Sequence, residues 1–191
     1  ATIQAEVFFP RLLEKDHLAY FPLPLTCSLF GGHTARPDTG DFGWGHLGDS
    51  GSFHVYAART KSDHHDDSKN VRFYLSSSQA PLLSSSVITN VFDDTRWNFA
   101  VRVRPSKNPS GMVGESSYIG TAPTGSEIEF YGVKSIIDDT SENFYVTASV
   151  IDIQGKRFLS DRKRLFIGAH RTDFTGTLLQ KSYARISSLR Y

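Results

Sequence analysis

The stretch Thr95–Pro105, TRWNFAVRVRP, decides the fold class. Trp97, Phe99, Val101 and Val103 recur with period two, and Asn98, Arg102 and Arg104 fill the positions between them. Successive side chains of an extended strand point to opposite faces, so this segment is a strand with one apolar and one polar side. Pro105 ends it, because proline has no N–H to donate to a neighbouring strand.

The same alternation recurs on both sides of that segment. SFHVYAA places Phe53, Val55 and Ala57 on one face, and NVRFYLSSS does the same with Val71, Phe73 and Leu75. SEIEFYGVKSI sets Ile128 and Phe130 against Glu127, Glu129 and Tyr131. NFYVTASVIDI sets Phe144, Val146, Ala148 and Val150 against Tyr145, Thr147 and Ser149, and KRLFIGA and ARISSLRY complete the set. Short strands separated by polar turns predict an all-β, two-sheet antiparallel sandwich of about 14 strands at most. Trp97, Phe99, Val101 and Val103 are expected to be buried together with Phe130 and Ile167. Helical periodicity is weak; PRLLEKDHLAYF has room for a turn or two between its bounding prolines.

At 191 residues the chain is long enough to bury a substantial core as one domain. Its 21 Lys and Arg nearly balance 20 Asp and Glu, so nothing in the charge suggests the footprint of a nucleic-acid binder, and no nucleic acid is expected as a partner. The single cysteine, Cys27, excludes an internal disulfide framework and a zinc site built from several thiolates. No apolar run approaches the roughly 18 to 20 residues that span a bilayer, so membrane insertion by a helix is not expected.

Four groups of residues invite a functional reading. Asp63-His64-His65-Asp66-Asp67 has metal-ligand types, but adjacent residues on a hairpin tip do not converge on one ion, and the alternating ligands and central glycine of a calcium loop are missing. It reads as a solvated tip with no metal. Asp93-Asp94 and Asp138-Asp139 are paired carboxylates near strand ends. Glu127 and Glu129 lie on one face of one strand, the nearest approach to the two carboxylates of a glycosidase. Common same-face glutamates on a solvated sheet explain them equally simply, and ordinary solvation is expected there. Finally, RLFIGAHRTDFTG, Arg164–Gly176, carries His170 and Asp173 but no G-x-S-x-G nucleophile turn accompanies it. It reads as a strand end at Gly168 followed by a connection. Neither a phosphate-binding glycine loop nor H-E-x-x-H is present. No catalytic, cofactor-binding or metal residue is assigned, and no cofactor is expected.

Several of these segments together resemble a laminin G-like, concanavalin A-like jelly-roll domain. The resemblance rests on the Trp-led strand Trp97 to Val103, then Glu129 to Val133, Leu165 to Gly168, Phe174 to Gly176, and Ile186 to Tyr191. The Glu129 to Val133 segment departs from the pattern, since Gly132 follows Tyr131 directly. The resemblance covers residues 20 to 191, with 1 to 19 as an N-terminal extension or linker. It implies a non-catalytic binding or structural module for adhesion, assembly or glycan recognition. It further implies an extracellular or virion-surface setting, with other protein chains of a larger assembly and a surface glycan as partners. The absence of disulfides and the end of the chain soon after the last family strand favour a module of a larger bacteriophage or bacterial protein. The alternative is a β-jelly-roll glycoside hydrolase or polysaccharide lyase acting through Glu127 and Glu129.

Overall fold

The computed structural model describes residues 2–11, 26–35, 44–45, 53–60, 69–77, 79–105, 125–136, 139–151, 154–155, 157–158, 163–171, 178–181 and 184–191. Thirteen strands occur among them: β1 (Thr2–Phe9), β2 (Thr26–Ala35), β3 (Trp44–Gly45), β4 (Phe53–Arg59), β5 (Val71–Ser77), β6 (Ala80–Ser84), β7 (Thr95–Pro105), β8 (Gly125–Ile136), β9 (Asp139–Ile151), β10 (Lys163–Ile167), β11 (Ala169–Arg171), β12 (Leu178–Lys181) and β13 (Arg185–Arg190). The first sheet runs β13-β1-β7-β8-β9 and the second β10-β2-β4-β5-β6, with the two-residue β3 beside β2 and a separate β11-β12 ladder. Every ladder is antiparallel. The molecule is an all-β sandwich, as the alternation predicts.

Period two explains which side chains fill the space between the sheets. Ile3, Ala5, Val7 and Phe9 of β1 point inward beside Trp97, Phe99, Val101 and Val103 of β7, and Ile128 and Phe130 of β8 continue the layer. Facing them are Phe53, Val55 and Ala57 of β4 and Val71, Phe73 and Leu75 of β5. Phe73 is the meeting point: its ring lies 4.8 Å from that of Phe99, 5.2 Å from Trp97 and 5.6 Å from Phe144. Ring contacts of this kind add directional attraction to the burial of large apolar area.

Two expectations are corrected. Thr2–Phe9 are not an extension: β1 sits between β13 and β7, hydrogen-bonded to both. Its sequence TIQAEVFF alternates as cleanly as β7, with Ile3, Ala5, Val7 and Phe9 all buried. Ile167 does not join the Trp97 cluster. It is the last residue of the edge strand β10 and remains 51% exposed. Phe130, by contrast, is fully buried beside Phe99.

The segment Asp63–Asp67, the turn expected within PRLLEKDHLAYF from residue 12 on, and Asp173 lie outside the described residues. Gly168 closes β10 with φ of 69°, a left-handed conformation that costs other residues energy, and its N–H donates to the Leu29 carbonyl at 2.8 Å. His170 then falls on β11, where its backbone is opposite Gln180 of β12.

Candidate functional site

The outward face of the first sheet carries its charge in register. On β7 the outward residues Arg102 and Arg104 stand directly opposite Glu129 and Glu127 of β8. Directly opposed side chains on one face of an antiparallel pair lie close enough to interact. Glu129 Oε2 accepts a hydrogen bond from Arg102 Nε, while its Oε1 accepts from Arg104 Nε at 2.8 Å and from the Tyr145 hydroxyl of β9 at 2.7 Å. Arg104 also holds Glu127, Nη2 to Oε2, at 2.6 Å. Two carboxylates and two guanidiniums therefore form one cluster of zero net charge.

Glu129 does not have the ordinary solvation expected of it. It is fully buried although its strand position faces outward, because the arginine and tyrosine side chains close over it. Burial alone would raise its pKa. The hydrogen bonds from Arg102, Tyr145 and Arg104 outweigh that effect and hold the pKa at about 2. A general acid must keep a proton near neutrality, and this carboxyl does not. Both of its oxygens are already occupied by donors.

Next to the cluster, the same face opens into a groove of about 270 Å³. Its floor is Ala100, which lies between Gln4 of β1 and Tyr131 of β8 in register. A methyl group among longer neighbours leaves a depression. Glu6, Asn98, Ser188 and Arg190 add to the rim, so amide, hydroxyl, carboxylate and guanidinium groups surround one aromatic wall. The volume is slightly below the roughly 300–1,000 Å³ of small-molecule sites and suits one polar ring or a short polar segment.

The second sheet presents a different outer face. His33 and Phe166 have ring centroids 4.8 Å apart, Phe166 and His54 5.5 Å, His54 and Tyr56 5.1 Å, and Tyr56 and Tyr74 5.0 Å. These five rings cross β10, β2, β4 and β5 as one row. Ser28 Oγ lies 2.9 Å from His54 Nε2, which fixes that imidazole within the row. Ser28 is itself fully buried, and the pair therefore lacks the exposed hydroxyl of a nucleophile.

The other sequence candidates do not gather. Asp93 pairs with Arg11 at 3.0 Å and Lys69 at 3.6 Å, and Asp94 occupies a left-handed turn position with φ of 56°. Asp138 lies outside the described residues, and Asp139 opens β9. Among the described residues no three His, Cys, Asp or Glu side chains come together as a metal-ligand group. The sequence reading missed the arginine clamp, although its signal was present: outward Arg-x-Arg on one strand and Glu-x-Glu on the next pair charge with opposite charge once the hairpin register is set. The groove had no such signal, because it depends on β1 and β13 flanking β7 and β8.

No family model, curated protein or solved structure matches the chain.

Proposed function

We propose that this chain is a non-catalytic binding module that recognises a glycan through the first-sheet groove, within a larger extracellular or virion-surface assembly. One observation carries the reading: the two carboxylates that a hydrolase would require are engaged by arginines, and beside them lies a groove whose amide, hydroxyl, carboxylate and guanidinium groups surround an aromatic wall. Tyr131 offers its ring face to the C–H side of a sugar, while Gln4, Asn98 and Ser188 supply donors and acceptors for its hydroxyls. At the rim Arg190 adds a cationic donor and Glu6 an anionic acceptor, a pair suited to the neighbouring hydroxyls of a sugar. The setting and the assembly partners follow the laminin G-like resemblance alone.

The test is a saccharide panel titrated into the isotopically labelled chain and followed by amide chemical shifts. Shifts confined to the strands around Ala100, lost in Tyr131→Ala and in Asn98→Ala while the fold is retained, are the expected result. Release of reducing ends from any polysaccharide, abolished by Glu127→Gln, would replace the binding reading with the hydrolase or lyase.

A further inference from the structure

The four edge strands of the sandwich are not protected alike. An unpaired edge exposes a row of N–H and C=O groups that invites another strand, and monomeric sheet proteins block it with charge, proline, bulges or short length. β13 carries Arg185 and Arg190 and is bulged against β1. β10 is five residues long with Lys163 and Arg164, and β6 is five residues long with Pro81. β9 has thirteen residues, and from Asn143 to Ile151 it contains no charge and no proline. Its bulge against β8 falls earlier, between Lys134 and Ser135 on the partner strand. Among the described residues, β9 pairs with β8 on one side and with no strand on the other.

Exposed apolar side chains lie along this edge, as they also do at Ile167 and Tyr191. Tyr145 is 57% exposed and Ile151 61%, and Leu82 of the neighbouring β6 is 57% exposed. On the inward face of β9, Val146 and Ala148 are only partly buried against the core, and among the described residues no further strand lies beside them.

We propose that β9 is a self-association edge, pairing antiparallel with β9 of a second copy about a two-fold axis at Thr147, so that two first sheets become one continuous ten-stranded sheet. The sequence of the strand suits itself in that register. On the inward face Phe144 meets Val150 and Val146 meets Ala148, which extends both cores across the axis. On the outward face Tyr145 meets Ser149 and Asn143 meets Ile151, with no like charges opposed. The same operation applied to β13 sets Arg185 against Arg190, a repulsive pairing. The acidic residue Glu142 falls outside the paired span. A two-fold edge contact is self-complementary and closes at two copies, so it gives a dimer and not a fibre.

Sedimentation and light scattering on the full chain should report twice the monomer mass. Thr147→Lys places two ammonium groups against each other at the axis, and because Thr147 is solvent-exposed the fold is retained and the dimer is lost. In the same geometry the two Thr147 Cα atoms lie about 4.5–5.5 Å apart, within disulfide range, so Thr147→Cys cross-links the dimer under mild oxidation. Asn143→Cys does not, because its two copies are roughly 26 Å apart along the paired strands. The native Cys27 is buried and gives no background cross-link. A parent that stays monomeric, or a dimer that survives Thr147→Lys and fails to cross-link through Thr147→Cys, overturns the proposal. Binding of saccharide in the groove is a separate measurement and its failure leaves this outcome unchanged.

Discussion

The outward faces of the two sheets are built on the same period-two backbone and held by different chemistry. On the first sheet, long charged side chains lie down across the strands and cancel: Arg102, Arg104, Glu127 and Glu129 leave no net charge, and Glu129 ends fully buried. On the second, five rings lie side by side from His33 to Tyr74. The first face must depend on protonation and salt, because its contacts are between charges. The stacked Tyr56 and Tyr74 rings carry no formal charge near neutrality. An outward strand position therefore does not imply a solvated side chain, and the way it is covered fixes the conditions to which that face responds.

The largest effect expected removes the support common to both faces. Trp97 is fully buried between Phe73 of the second sheet and Phe99 of the first. Trp97→Ala leaves a cavity there and should cost on the order of 3–5 kcal/mol. Denaturant unfolding measures it; an unchanged midpoint would mean that the two faces do not share this core.

A smaller effect isolates the ring face. A Cβ at Gly31 would come within 2.4 Å of both the Phe166 ring and the Phe53 carbonyl oxygen. The ring can move, but the carbonyl belongs to the adjacent strand β4 and cannot. Gly31→Ala should therefore destabilise by about 1–3 kcal/mol, the range of overpacking, and disturb the His54 and Phe166 ring resonances. The arginine cluster resonances should stay in place, and their movement would show that the two faces are coupled.

Glu129→Gln isolates the charged face. Breaking a fully buried ion pair costs about 3–5 kcal/mol, but Arg102 and Arg104 are 44% and 23% exposed and water partly compensates them. A loss at the lower end of the about 1.5–3 kcal/mol of a hydrogen bond to a charged group follows. The pH dependence has a definite sign. The folded-state pKa of about 2 is below the ordinary 4.5, so the stabilisation is complete above pH 4.5 and is lost as pH falls toward 2. The difference in unfolding midpoint between parent and Glu129→Gln should shrink over that window. A difference independent of pH would mean that the carboxylate charge is not what the arginines hold.

Legibility in the sequence followed the same division. Strands with uninterrupted alternation are readable from residues alone: β4, β5, β7 and β8 bury the expected faces, while β9 buries Phe144 and Val150 and leaves Val146 and Ala148 partly exposed. β1 was equally regular, but the resemblance to a known pattern began after it and drew the domain boundary to its wrong side. β2 was obscured for a physical reason. Leu29 and Phe30 are adjacent and both buried, which breaks the period; the bulge between Ser28 and Phe30 accommodates this, and Gly31 makes room for the Phe166 ring. The arginine clamp required knowing which outward positions face each other, and that information resides in the register of β7 against β8.

The smallest and most specific effect concerns two tyrosines, one on each face. Tyr145 titrates above 10.0 chiefly because its hydroxyl donates to Glu129, a bond lost when the phenol ionises, with burial and the carboxylate charge adding to the rise. Tyr56 titrates above 10.0 for a different reason: burial within the ring row comes first, and the neighbouring Tyr74 follows. Glu129→Gln removes the charged acceptor of the first and touches nothing near the second. Carbon-13 resonances of labelled tyrosine rings, assigned with Tyr145→Phe and Tyr56→Phe, should therefore show the Tyr145 pKa falling toward 10.0 in Glu129→Gln while Tyr56 stays raised. Tyr74→Phe should act the other way round, lowering Tyr56 slightly, since burial persists, and leaving Tyr145 where it was. If Tyr145 is unmoved by Glu129→Gln, the hydroxyl is not bound to that carboxylate and the charged face is held by its arginines alone.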